Sequence, residues 1–261
     1  MMTGVKSFLV VVITGASSGI GAACTLEFAT RAADLALVGR NVENLENVAK
    51  QCEDITGKKP LTIIADISIE DDVTRIITDT VDHYGKIDVL VNNAGILILA
   101  GVLDDIASFD QMLATNVRGT YLMTQKAIPH LLETKGNIVN ISSVLSKQPI
   151  PAMMPYCMTK AAIDMLTKCV ALDLAPRGVR VNSINPGPVN TNLFTRNGVS
   201  EDVNDKMYAG MEAAMPLRKL AKSADVAKLA CFLASDDASC ITGSCHQIDC
   251  GLHLGDPAIK A

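Results

Sequence analysis

The stretch Leu9-Val10-Val11-Val12-Ile13-Thr14-Gly15-Ala16-Ser17-Ser18-Gly19-Ile20-Gly21 decides the fold of this chain. Residues 9–14 form a continuous apolar, β-branched run, the pattern of a strand buried on both faces. The run is too short for the core of a secretory signal and leads straight into a glycine-rich turn. From 20 to 31 the pattern becomes helical. Glycines at 15, 19 and 21 let the backbone turn sharply, approach a phosphate closely and bring the next helix onto the sheet. The helix N-terminus offers free N–H groups and a partial positive charge, and Ser17 and Ser18 add hydroxyl donors. The spacing departs from GxGxxG and lacks the Lys of a P-loop. A glycine-rich turn alone can be purely structural. Its place between the first strand and the first helix points to phosphate binding.

Outward from this stretch the alternation repeats. Further strands are expected at 35–38, 61–65, 89–91, 137–141, 179–184 and 245–249, with helical stretches at about 42–56, 70–84, 108–132, 155–174 and 224–233. Apolar strands joined by helices make a parallel sheet covered on both faces, and right-handed crossovers wind the chain doubly around it. The fold class is α/β: a doubly wound, Rossmann-like parallel sheet in a single domain, 1–261. Ligands of that fold sit at the carboxyl ends of the strands. The segment from about 190 to 222 has no strand pattern and is rich in Asn, Met, Gly and charge. An insertion that long beside a strand end reads as a substrate loop or lid.

Composition narrows the function. With 49% hydrophobic and 20% charged residues, 261 residues can bury a substantial core, which excludes a disordered chain. The net charge is −5, and no Lys/Arg run exceeds two residues, so a nucleic acid bound through its phosphates is not expected. Aromatic content of 3% and the absence of Trp argue against base stacking. No segment reaches the roughly 18–20 apolar residues of a membrane span. Eight cysteines without a CxxC or a secretory signal read as reduced thiols of a cytoplasmic protein. Cys240, Cys245, His246, Cys250 and His253 cluster in sequence. Alternate residues of a strand face opposite sides, however, so no metal is expected there.

The end of the second strand, Val38-Gly39-Arg40-Asn41, bears on which dinucleotide binds. An acidic side chain there would hydrogen-bond the ribose 2′-OH of NAD, and none is present; Asp34 lies at the opposite end of the strand. The Arg40 guanidinium can instead pair with the 2′-phosphate of NADP. Tyr156 and Lys160 lie four apart on a helix and share a face. A phenol with a pKa near ~10 is a poor base at neutral pH, and a neighbouring ammonium would lower that value. Ser143 follows the strand at 137–141, where its hydroxyl can hold a carbonyl against the phenol. Asn116 interrupts a helical stretch and, considered alone, could be no more than a kink.

Together these residues resemble the short-chain dehydrogenase/reductase family over nearly the whole chain. The likeness rests on TGxxxGxG at 14–21, on Asp66 after the third strand and on Asn92-Asn93-Ala94-Gly95. It also rests on Asn116, Ser143, Tyr156 and Lys160 in tetrad order, and on Pro186-Gly187. The resemblance implies that Tyr156 is the acid in reduction and the base in oxidation, and that Lys160 lowers its pKa and binds the nicotinamide ribose. Ser143 would orient the carbonyl, and Asn116 would support a water relay to Lys160. The glycine loop Gly15, Ser17, Ser18, Gly19, Ile20 and Gly21, with Arg40 and Asn41, would bind the cofactor's phosphates and adenosine end. Asp66 and Ile67 would contact adenine, and Asn93, Ala94 and Gly95 would line the cleft. Pro186, Gly187, Val189 and Thr191 would surround the nicotinamide. The resemblance further implies NADP(H) in preference to NAD(H), and a homo-oligomer, tetramer or dimer, packed through two long helices and the last strand. Ser146 and Cys250 depart from the family, which often has Gly at both positions.

The leading expectation is an NADP(H)-dependent oxidoreductase, reducing the ketone or aldehyde carbonyl (or oxidising the secondary alcohol) of a lipophilic small molecule such as a steroid, isoprenoid or xenobiotic. Leu97, Leu145, Met153, Met154, Phe194, Met207 and Met211 would face that substrate, since a Met-rich rim adapts to varied shapes. Ordinary packing is the alternative for each. A 3-oxoacyl carrier-protein reductase is a second reading, for which Arg196, Lys206, Arg218 and Lys219 are the thin basic surface. A cofactor-binding regulatory protein without catalysis and an NAD-linked catabolic dehydrogenase are the others.

Overall fold

The stretch quoted above lies at the centre of the sheet. In the computed structural model, which describes residues 9–189, 191 and 200–255, β1 (Val10–Thr14) is wholly buried and pairs in parallel on both sides. Its neighbours are β2 (Asp34–Gly39) and β4 (Val89–Asn92), with Val12 opposite Ala36 and Leu90. Outside β2 lies β3 (Leu61–Ile64). Beyond β4 come β5 (Asn137–Ile141), β6 (Arg180–Pro186) and β7 (Cys245–Ile248). The order β3-β2-β1-β4-β5-β6-β7 reverses between β1 and β4, and that reversal opens a crevice at the carboxyl ends.

Alternation along β1 sorts the core into two layers. Val11 and Ile13 pack with α1 (Gly19–Ala29), α2 (Val42–Thr56) and α8 (Ser223–Ala234) through Cys24, Phe28, Leu45 and Val226. Val12 points the other way, to α3 (Glu70–Tyr84), α5 (Thr120–Thr134) and α6 (Met154–Leu174), through Ile76, Met123 and Leu174. The doubly wound, single-domain expectation is met.

Two differences from the sequence reading carry information. The helical stretch at 108–132 is α4 (Ile106–Met112), a π-helical turn (Leu113–Gly119) and then α5. Asn116 sits inside the π turn, so it does disturb the helix, and π turns recur at functional sites. Part of the 190–222 segment is α7 (Glu201–Ala214), which buries Asn204 and Tyr208. Phe194 and Arg196 lie outside the described residues. No helix among the described residues is long and apolar enough to cross a membrane.

Candidate active site

A cleft of about 790 Å³ opens at the crevice, with Gly15, Ser17, Ser18, Gly19 and Ile20 forming one wall. Gly15 and Gly19 have φ of 66° and 56°, the left-handed region that glycine enters without strain. A Cβ on Gly15 would lie 2.8 Å from Asn93 Nδ2 and 2.9 Å from Ala94 Cα. Gly21 does not line the cleft. A Cβ there would fall on the Gly15 carbonyl oxygen, so its part is to let α1 pack beneath the loop. Thr14 Oγ1 accepts from the Asn93 and Ala94 amides, at 3.0 Å each, and Asn93 Nδ2 donates to the Thr14 carbonyl at 3.0 Å. These bonds lock the Asn-Asn-Ala-Gly turn against the glycine loop.

At the far end of this wall Arg40 Nη1 lies 3.1 Å from Asp66 Oδ2, with the arginine side chain 62% exposed. Asp66 Oδ1 accepts from Ser68 N (2.9 Å) and Ser68 Oγ (2.7 Å). Burial acts to raise the Asp66 pKa, but the bonds from Ser68 and Arg40 outweigh it and hold the carboxyl below its usual range. Asn41 caps α2, its Oδ1 accepting from Asn44 N at 2.8 Å. Ile67 also lines the cleft here.

The other wall carries the remaining polar groups. Ser143 follows β5 in extended conformation, its Oγ accepting from Leu145 N (3.1 Å), and it lines the cleft together with Tyr156. Lys160 Nζ is buried, 5.5 Å from the Tyr156 ring centroid, and donates to the Ile141 carbonyl at 2.8 Å. Asn116 is clamped onto one residue: Ile96 N donates to its Oδ1 and its Nδ2 donates to the Ile96 carbonyl, both at 2.8 Å. Its Nδ2 also reaches Thr159 Oγ1 at 3.1 Å. Asn116 therefore shapes the loop after Gly95, and none of these bonds runs to Lys160.

One expectation is corrected. Lys160 does not bring the phenol down: burial pushes Tyr156 up to about 12, and the nearby Ser143 hydroxyl only partly opposes it. Burial takes Lys160 itself down to about 8, against the pull of Asp164. The ammonium is directed at the end of β5 rather than at the phenol oxygen, and the cost of a buried charge wins at both residues.

A family model described as enoyl-(acyl carrier protein) reductase matches residues 15–253. The chain is 37% identical to 2-(R)-hydroxypropyl-CoM dehydrogenase of Xanthobacter autotrophicus, over 92% of this chain and 96% of that protein. A Caenorhabditis elegans short-chain dehydrogenase/reductase of unknown function, solved with cofactor, superposes with TM-score 0.92 at 34% identity, covering 95% of this chain and 96% of that one. The chain belongs to the short-chain dehydrogenase/reductase family. The 3-ketoacyl-(acyl-carrier-protein) reductase of Brucella melitensis, complexed with NADH, gives TM-score 0.85 at 36% identity over 93% and 97% of the two chains.

This short-chain dehydrogenase/reductase is an oxidoreductase of a carbonyl–alcohol pair, and its family uses nicotinamide cofactors. The residues present suit such a group. Glycine at 95 keeps the wall clear beside Lys160, where a Cβ would lie 3.7 Å from Nζ. The N-terminus of α1 opens on the cleft, with its N-cap Ser18 and first residues Gly19 and Ile20 in the wall.

The cleft also gathers Asn93, Ala94, Gly95, Pro186, Gly187, Val189 and Thr191. Of the expected substrate positions, Leu97, Leu145, Met153 and Met211 line it. Met154 and Met207 do not. Met154 starts α6 on the outside, 37% exposed, with its amide donating to the Ala100 carbonyl. Tyr208 takes the place given to Met207, its ring buried and its hydroxyl donating to the Val189 carbonyl at 3.1 Å. Sequence reasoning missed Gln148, Ile150, Tyr208, Met215 and Leu252. Acidic Glu201 and Asp202 opening a helical period were the available sign of α7, and so of Tyr208. Nothing local marks Leu252. Among the described residues no group of three or more His, Cys, Asp or Glu is arranged to hold a metal.

Proposed function

We propose that this protein reduces the carbonyl of a lipophilic small molecule with NADP(H), and that Asn116, Ser143, Tyr156 and Lys160 are its working residues. The observation that carries this is the convergence of Ser143, Tyr156 and Lys160 on one wall of the cleft, with Lys160 Nζ 5.5 Å from the Tyr156 ring centroid. A carbonyl oxygen placed there accepts from both hydroxyls, which polarises the carbon. When bound, the nicotinamide supplies the hydride to that carbon. Tyr156 then gives its proton to the oxygen, and Lys160 would bind the nicotinamide ribose beside it. Burial raises the phenol to about 12, and the protonated phenol is the form that reduction needs. Asn116 holds the Ile96 loop that borders the site.

The glycine loop through Ile20 would hold the pyrophosphate, Asp66 and Ile67 the adenine, and Asn93–Gly95 the middle of the cofactor. Pro186, Gly187, Val189 and Thr191 would close around the nicotinamide. Arg40, largely exposed, would turn from Asp66 to a 2′-phosphate. The substrate half, with Leu97, Leu145, Ile150, Met153, Met211 and Met215, has Lys160 as its one Lys or Arg among the described lining residues, which suits a neutral ketone. Within the expected lid segment, α7 would cover the substrate half through Tyr208, Met211 and Ala214. An apolar stripe on π turn, α5 and α6 (Leu113, Tyr121, Met158, Met165 and Leu172, each at least 39% exposed) suits the face of a homo-oligomer. A 3-oxoacyl thioester is the second reading, favoured by the likeness to the Brucella melitensis reductase.

The test is steady-state turnover of lipophilic ketones and of acetoacetyl-CoA with NADPH and NADH. Tyr156→Phe should lower kcat by at least about a thousandfold while leaving NADPH binding intact. In the wild type the alkaline limb should lie near pH 8: Lys160 carries its charge below that value and loses it above. Arg40→Ala should weaken NADPH by about 10- to 100-fold and leave NADH unchanged. Retained turnover in Tyr156→Phe would overturn the mechanism. Turnover of the thioester alone would replace the substrate class, and NADH preference would remove the role given to Arg40.

A further inference from the structure

Asp164 is a buried carboxylate that the mechanism above does not use. It lies one turn beyond Lys160 on α6 and is only 6% exposed. Among the described residues it makes no ion pair. Its partners are neutral: Asn185 Nδ2 donates at 3.0 and 2.9 Å to its two oxygens, and the Ser183 hydroxyl lies 3.3 Å from Oδ1. Ser183 also donates to Asn185 Oδ1 at 2.9 Å. Burying a carboxylate is costly and persists only where hydrogen bonds compensate it.

Asn185 completes the link. Its Nδ2 also lies 3.1 Å from the Ser143 carbonyl oxygen and 3.0 Å from Ser146 Oγ. An amide nitrogen has two hydrogens, so one is directed at the Asp164 carboxylate and the other at the Ser143–Ser146 turn. Asp164 thus orients the amide that holds the turn carrying the Ser143 hydroxyl. Ser146, where the family often has Gly, is part of this link. A second tie runs from Ser142 Oγ to the Lys160 carbonyl at 3.2 Å.

We propose that Asp164 is a positioning residue for the reaction: through Asn185 its carboxylate fixes the Ser143 turn, and it places a carboxylate one helical turn from Lys160. This rests on the reading of Ser143, Tyr156 and Lys160 given above. The charge works against the desolvation of Lys160. Other charged or titratable groups on the surrounding elements are engaged or placed elsewhere. Arg180 of β6 donates to the Leu233, Ser235 and Ile241 carbonyls, and Arg118 of the π turn bonds Ser68 and Glu70. Lys147, after the Ser143 turn, and Lys168, the next turn of α6, are exposed, and Cys245 of β7 stands in register with Ser183. Tyr156 lies two turns earlier on α6.

Asp164→Asn and Asn185→Ala test this, with Tyr156→Phe run beside them. Asp164→Asn should lower kcat tenfold or more with KM for NADPH changed less than threefold. It should also move the alkaline limb of reduction down by about one pH unit, since Lys160 loses the charge that keeps it protonated. The Lys160 Cε signal, followed by NMR in the cofactor-free protein and assigned with Lys160→Met, should titrate at correspondingly lower pH. Asn185→Ala should lower kcat tenfold without moving that titration, because Asp164 stays in place. Asp164→Asn with kcat within threefold and an unmoved Lys160 titration would overturn the proposal. If that variant does not fold, Asn185→Ala decides: a kcat within threefold of wild type overturns the proposal, and a tenfold fall supports it. Full activity in Tyr156→Phe would fail the catalytic reading itself, whatever Asp164 does.

Discussion

At the glycine end of the cleft, backbone meets backbone: Gly15 presses on Asn93 and Ala94, and Gly21 lies under the Gly15 carbonyl. At the opposite end Met153, Met211 and Ile150 present long side chains, each partly exposed, above Gln148 and Leu145. The first half is fixed by contacts that a single methyl group would break. The second includes Met153 and Met211, whose unbranched thioether side chains can refit around what enters. A site that must hold one invariant group and accept a variable one gains from this division. It also means that substitutions in the two halves should fail differently, one through the fold and the other through selectivity.

The sharpest break is Gly21→Ala. Its methyl would fall on the Gly15 carbonyl and lie 2.5 Å from Asn93 Nδ2, so the loop or α1 must shift. We expect a loss of about 3 kcal/mol, lowering Tm by roughly 10 °C in a chain of this size, and weaker cofactor binding by calorimetry. A Tm within about 1 °C of wild type would show that the glycine half is as compliant as the other. Met211→Ala probes the opposite half. It should leave Tm nearly unchanged but lower kcat/KM about tenfold for a bulky ketone, with little effect on a small one, as one lost apolar contact of ~1–2 kcal/mol requires. Equal losses for both ketones would remove Met211 from the substrate wall.

The same division explains what could be read from sequence. Strand and helix alternation is local, and residues 42–56, 70–84 and 137–141 fall within the bounds seen in the structure. The glycine half was legible because its demands are on backbone, and backbone demands select glycine. The rest depends on what lies across space. The π turn is a hydrogen-bond register, and Leu113–Gly119 has no propensity that separates it from α-helix; only Asn116 hinted at it. Helix α7 carries Asn204 and Gly210, poor helix formers, and so read as loop. The direction of the Tyr156 shift follows from burial by distant segments and outweighs the Lys160 that sequence places beside it.

Cys250 gives the smallest and most discriminating test, because it lies where the two halves meet the C-terminal strand. It adopts φ 55°, in the left-handed region, directly before Gly251 at φ 88°. An L-residue there costs about 1 kcal/mol, which accounts for the family's frequent glycine. The turn is held by Asp249, which accepts from the Gly251 amide (3.0 Å), the His253 amide (2.9 Å) and His253 Nδ1 (2.8 Å). It is tied to the cleft as well: a Cβ on Gly187 would lie 2.9 Å from Asp249 Cα, and Leu217 N donates to the Cys250 carbonyl at 3.1 Å. Cys250→Gly relieves the strain but gives up the thiol's packing against the α1–α8 layer and adds freedom to the unfolded chain. The net expectation is a gain of about 0.5 kcal/mol, a Tm rise of roughly 1–2 °C, with kcat/KM unchanged. A fall in Tm would mean that packing outweighs strain even at this turn. The C-terminal wall of the cleft would then belong with the adaptable half, held by side chains rather than by backbone.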